Sequence, residues 1–155
     1  MIASRIHKIN NAFKYFLNFI LASMVLVVFA QVIFRFVLSK PLPWSEEISR
    51  YMMVWITFLG AALAIEKKAH ALVEFFVDLL PEKLRVIVKV IAIILSCVFY
   101  GIIAFYGWNF LSSSLTQFSA VLQLPMAYVY IVIPLSGILL ILNSLAELEK
   151  LILRR

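Results

Sequence analysis

PLPWSEEISRYMMVWITFLGAALAIEKKAH, residues 41–70, decides the fold of this chain: a charged and aromatic mouth leads into an uncharged apolar run that ends in a basic cluster. Ser45 follows Trp44 and precedes Glu46 and Glu47, so a helix is expected to start here. Ser45 would be its cap, and the two carboxylates would lie at the positive end of its dipole. From Tyr51 to Ile65 no residue is charged. With the partly polar turn before it, such a helix is long enough to cross about 30 Å of hydrocarbon at about 1.5 Å per residue.

Composition points the same way. Of 155 residues, 65% are hydrophobic and 14% charged, far too little polar surface for a soluble globule. The one cysteine, Cys97, sits in an apolar run, so neither an intramolecular disulfide nor a cysteine metal cluster can form. A net charge of +6 would suggest nucleic acid in a soluble domain. Here the basic residues flank apolar runs and are read as topology signals, so no nucleic-acid partner is expected.

Working outward, residues 1–14 form a short basic arm, with Arg5, Lys8 and Lys14. The apolar run after it is about twice the length of a signal-peptide core and ends in Arg35, which predicts a retained first transmembrane helix over about 15–36. Asn18 and Gln31 would be costly against lipid, so both are expected to face protein or the interface. The second helix covers about 46–66. In the following stretch, about 69–80, His70, Glu74 and Asp78 recur every four residues among apolar ones. This is too short to span and suits an amphipathic segment in the interface or a cover over a partner's inner end. Pro81 then opens a third helix, about 84–110, with Lys89 able to snorkel. An uncharged loop, 112–123, leads to a fourth helix over about 125–146, which Pro134 should kink. The fold class is therefore an all-α integral membrane protein with four transmembrane helices and an amphipathic interfacial segment between helices 2 and 3, in one membrane domain.

Of the fourteen basic residues, eleven fall in the N-terminal arm, the 66–89 segment that runs into the start of helix 3, and the tail; only Arg35, Lys40 and Arg50 fall on the other side. The positive-inside rule predicts cytoplasmic termini. Trp44, Trp108, Tyr128 and Tyr130 would form an interfacial belt at the outer side.

Chemistry is mostly missing from the apolar runs. None holds an acidic or basic residue, although a charge at mid-bilayer costs about 2.5–3.5 kcal/mol and usually marks an ion or proton path. A small antiporter would be expected to carry an embedded carboxylate, and a haem subunit to carry histidines on facing helices. His7 and His70 both lie outside the spans, and no zinc spacing, nucleophile elbow or phosphate loop accompanies them. No catalytic, cofactor or metal site is expected.

What remains suits contact with another protein. Glu46 and Arg50 are four apart and Glu47 and Arg50 three apart, so one arginine can serve two carboxylates. Exposed, the pair is worth only about 0.3–0.5 kcal/mol, and an ordinary solvated helix start is the bland alternative. Further along, Trp44, Ile48, Tyr51, Trp55 and Leu59 make a bulky face, while Thr57, Gly60, Ala61 and Ala64 make a small-residue face that would let another helix approach closely. Spacing leaves open whether that neighbour belongs to this chain or another, with internal packing as the working expectation.

The series QVIFRF at 31–36, PLPWSEEISRYMMVWITFLGAALAI at 41–65, the following His70 and LLPEKLR at 79–85 resembles the small membrane subunit of tripartite ATP-independent periplasmic (TRAP) transporters. The resemblance rests on Gln31, Arg35, Trp44, Glu46, Glu47, Arg50, Trp55, Gly60, Ala61 and His70. It implies secondary active uptake of organic acids of the C4-dicarboxylate or sialic acid type in a bacterial inner membrane. A periplasmic binding protein would capture the anion, and a large membrane subunit would move it with sodium bound to that subunit rather than to this chain. The small subunit would be a fixed scaffold among membrane lipids. Gln31, Arg35, Trp44, Glu46, Glu47, Arg50, Tyr51, Trp55, Gly60, Ala61, Ala64 and His70 are the candidates for subunit contact or docking. A membrane anchor or electron-transfer subunit of an enzyme complex, or a self-sufficient small transporter, are the alternatives.

Overall fold

In a computed structural model of the protein, residues 2–66 and 81–153 are described. The helices are α1 (Ile2–Phe36), α2 (Pro43–Glu66), α3 (Glu82–Ser113), α4 (Ala127–Tyr130) and α5 (Val132–Leu153), and the named elements include no strand. Four stretches are long and apolar enough to cross a membrane: Ile6–Phe36, Pro43–Ile65, Leu84–Ser113 and Ala127–Glu149. The all-α, four-span architecture read from hydropathy is the one observed. The expected amphipathic segment at 69–80 lies outside the described residues.

The boundaries differ at three places, each for a physical reason. The basic arm and the first span are one helix of 35 residues, about 52 Å long at 1.5 Å per residue and so well beyond the ~30 Å of hydrocarbon. Ile6 and Asn10, on the arm, are buried, which gives this added stretch a packing reason to stay helical. Helix α2 starts at Pro43, whose fixed φ suits a first helical position, so Ser45 is not the cap. Its hydroxyl donates instead to the Leu42 carbonyl at 2.7 Å, and the residue is buried. The fourth span is divided at Ile131 into α4 and α5. Pro134 has no N–H to offer the Tyr130 carbonyl, so the helical ladder is interrupted where the proline predicts.

Packing makes α5 the centre. Helices α2 and α5 share a core of Leu59, Ala62, Leu63 and Ile65 from α2 with Val132, Leu139 and Leu140 from α5, flanked by Phe13 and Leu17 of α1 and by Tyr100 of α3. Among the described residues, helix α3 packs on α5 and α4 but not on α1 or α2. The most apolar windows of α1 and α3 alike have none of their residues buried in the protein, against 56% for the span that contains α5. The four spans therefore do not close into a ring; α3 stands outside a three-helix cluster, attached along one side.

That attachment depends on two glycines. A Cβ on Gly137 of α5 would lie 2.9 Å from the Ala104 nitrogen and 3.0 Å from its Cα. One on Gly107 of α3 would lie 2.8 Å from Ile133 Cγ2 and 3.0 Å from the Pro134 nitrogen. Backbone meets backbone here, which only a missing side chain allows. The Phe110 and Tyr130 rings, 4.6 Å apart, close the same seam at the loop end.

Candidate functional site

The start of α2 is built from a charged turn whose two carboxylates part company. Glu46 accepts from Arg50 at 3.2 Å, and both side chains are largely exposed, at 65% and 71%. At that exposure the pair adds no more than about 0.5 kcal/mol. Glu47 does not share the arginine as its spacing suggested. Its Oε1 accepts the Tyr51 hydroxyl at 2.6 Å and the Ala120 N–H at 3.1 Å, and its Oε2 accepts the N–H groups of Val121 and Leu122 at 3.2 and 2.9 Å. Three successive amides from a loop more than seventy residues away thus converge on one carboxylate. The loop amides and Tyr51 fill the carboxylate with donors already held in place, whereas an exposed arginine would gain little there against solvent screening and its own side-chain entropy.

The loop is folded to present those amides. Phe118 and Pro125 form an isolated antiparallel bridge. Ser119 donates its N–H to the Leu124 carbonyl at 2.9 Å, and its Oγ accepts the Leu124 N–H at 3.0 Å. Met126 donates to the Gln117 carbonyl at 2.9 Å. Gln123 takes a left-handed backbone, φ 53°, at the tip. Reading the sequence as an uncharged loop located it but could not show that Glu47 organises it.

Along α2 the bulky face turns inward. Leu59 is fully buried, Trp55 packs against the shared core and meets the Phe16 ring edge-on at 5.8 Å, and Tyr51 is half-buried. Trp44, at the mouth, is 41% exposed. The small-residue face turns the other way: Thr57 and Ala61 are exposed, Ala64 is half-buried, and a Cβ on Gly60 would meet nothing within 4 Å. The working expectation of internal packing for this face is corrected, because α5 approaches α2 on Leu59, Ala62 and Leu63 instead. On α1, Gln31 is half-buried, while Arg35 is exposed with its guanidinium 5.8 Å from the Phe36 ring centre. Asn18 is exposed on α1, so of its two expected surroundings burial against a helix of this chain is not found. His70 lies outside the described residues, and among the described residues no three histidine, cysteine or acidic side chains gather as metal ligands would.

A polar relay that sequence reasoning missed holds the opposite end. Asn143 of α5 donates Nδ2 to the Ala62 carbonyl of α2 at 2.8 Å, and its Oδ1 accepts from Asn10 Nδ2 of α1 at 2.7 Å. Both asparagines are buried, and Asn10 Oδ1 is left without a partner. One amide therefore joins all three helices of the cluster. The available signal was Asn143 itself, the one amide side chain in the apolar run LLILNSLA.

Comparison with known proteins gives this arrangement a context. The model of the family described as tripartite ATP-independent periplasmic transporters, DctQ component, matches residues 24–154. A Haemophilus influenzae protein named as a TRAP transporter small permease is 32% identical over 90% of this chain and 86% of its own length. The sialic acid TRAP transporter small permease protein SiaQ of Vibrio cholerae is 26% identical over 92% of this chain and 83% of its own. The isethionate TRAP transporter permease protein DctMQ of Oleidesulfovibrio alaskensis is 26% identical over 84% of this chain but only 22% of its own length.

Proposed function

The chain belongs to the family of DctQ components, the small permease subunits of tripartite ATP-independent periplasmic transporters, and on that premise we propose that it is the stationary subunit of a sodium-coupled importer of an organic acid. It is a transport subunit that partners a large permease subunit; in the DctMQ relative the matching stretch occupies about a fifth of one long chain. The substrate is of the carboxylate or sulfonate type suggested by the relatives' names, and a periplasmic binding protein delivers it. Sodium binds the large subunit. Charges lie at the helix ends, and the uncharged run from Val90 to Ala146 offers an anion no cationic partner on the way across.

The observation that carries the reading is the outward small-residue face of α2, Thr57, Gly60, Ala61 and Ala64, left open while the bulky face is used internally. Between membrane helices that geometry gains from a close partner and gains nothing from lipid. We assign it to the large subunit, with the exposed Trp44, Glu46 and Arg50 as a second contact to that subunit or to the binding protein, and His70 at the inner surface.

Gly60→Leu tests this cleanly, because the space around Gly60 is empty in the single chain. Thermal stability of the isolated subunit should stay unchanged, while co-purification of the large subunit falls about tenfold, the equivalent of roughly 1.4 kcal/mol of overpacking at the joint. Undiminished recovery and uptake would remove the assignment. Arg50→Glu should likewise leave the subunit's stability within about 0.5 kcal/mol and lower uptake by the complex.

The excess of lysine and arginine at the termini and around the start of α3 supports a topology with both ends in the cytoplasm. Alkaline phosphatase fused after Arg155 should be inactive, and inserted after Lys40 active; the reverse pattern would invert the topology.

A further inference from the structure

The connection between α3 and α4 lacks charge: no aspartate, glutamate, lysine, arginine or histidine occurs from Val90 to Ala146. It nevertheless exposes Leu115, Phe118, Val121 and Leu124, with Phe118 at 59%. A loop facing water would ordinarily be polar, and large apolar side chains in such density call for an apolar surrounding.

Its depth follows from the helices that carry it. Counted from Val90, the first residue after Lys89, ~30 Å of hydrocarbon takes about 20 residues of α3 and ends near Phe110. The loop tip is bonded to Glu47, one turn or about 6 Å before the uncharged run of α2 begins at Tyr51. Both counts put the tip within the headgroup layer, about 5–8 Å thick on each side of the hydrocarbon. Exposed Trp44, Trp108 and Tyr128 ring the same level, as interfacial aromatics do, and Leu115 prolongs the exposed lipid-type surface of α3 beyond Trp108. Irregular backbone at that depth needs its N–H groups satisfied. Glu47 supplies an acceptor for three of them, and the loop's own carbonyls and Ser119 Oγ serve those of Ser119, Leu124 and Met126.

We propose that residues 114–126 form a lipid-binding platform lying flat in the headgroup layer, with Leu115, Phe118 and Val121 reaching the acyl boundary and Glu47 as the latch that lets the backbone lie there. The partner is the bilayer surface, continuous with the lipid around α3, and not a soluble protein.

The test uses the full chain, with Cys97→Ala, in phosphatidylethanolamine–phosphatidylglycerol vesicles. Nitroxide labels are placed at Phe118→Cys, Val121→Cys and, as a water-exposed reference at the same end, Lys40→Cys. Oxygen should relax the labels at 118 and 121 several-fold more strongly than a water-soluble nickel chelate, and the order should reverse at 40. Adding Glu47→Gln should raise nickel access and label mobility at 121 several-fold. Nickel access at 118 and 121 equal to that at 40 would overturn the proposal. So would labels that become shielded from both reagents once the large subunit is reconstituted with the chain, since that pattern means protein covers the loop.

Discussion

Asn143→Leu is expected to destabilise the subunit by about 2–4 kcal/mol, because it leaves buried donors and acceptors on two other helices unmatched at about 1–3 kcal/mol each. Asn10 Nδ2 loses its acceptor, Asn10 Oδ1 has none to begin with, and the Ala62 carbonyl loses its second partner. The revealing variant is the double one. With Asn10→Leu added, the orphaned amide is gone, and replacing both members of a buried pair by apolar groups of similar shape is close to neutral. The double variant should therefore be more stable than Asn143→Leu alone, a coupling of about 1–3 kcal/mol. Thermal unfolding of the purified subunit in one detergent reads the sign directly, and additive losses would mean that the two amides act separately.

The second large effect concerns the seam between α3 and α5. Gly137→Ala puts a methyl group 2.9–3.0 Å from the Ala104 backbone, where no flexible side chain can yield. Overpacking of this kind costs about 1–3 kcal/mol, which outweighs the roughly 1 kcal/mol that alanine gains over glycine in a helix. At Gly101, also on α3, a Cβ meets nothing within 4 Å, so Gly101→Ala retains the gain alone. The two substitutions are chemically identical and opposite in expected sign. Because among the described residues α3 packs on α5 and α4, the loss in Gly137→Ala should appear as early protease access to α3, ahead of the α1–α2–α5 cluster. Equal stability of the two variants would contradict the close approach.

These positions show where a single sequence is informative for such a chain and where it is silent. The four spans, the Pro81 start and the interruption before Pro134 follow from run length and from proline's missing N–H, and all are found. The inner faces were hidden for a reason specific to lipid. A helix that is apolar all round carries no polar stripe to mark which side meets protein, so the 3.6-residue rhythm that orients a soluble helix is faint. Spacing could pick out Gly60 as a close-approach residue, yet Gly60 faces open space while Gly107 and Gly137, isolated in their runs, make the tight contacts. The pair Glu47 and Arg50 shows a different limit. Their spacing permitted an ion pair, but a loop more than seventy residues away offered the carboxylate three N–H groups at once, and sequence proximity says nothing about such a competitor.

The position of α3 has a mechanical result. A rod held along one edge works as an outrigger: its remaining sides are exposed and apolar, a surface suited to lipid, and it stands about one helix diameter, ~10 Å, beyond the α5 axis. Tipping the cluster would have to drag this rod up or down through the membrane, pushing apolar side chains such as Ile94, Phe99 and Phe105 toward water at one rim. An apolar helix so placed makes the cluster resist roll in the bilayer.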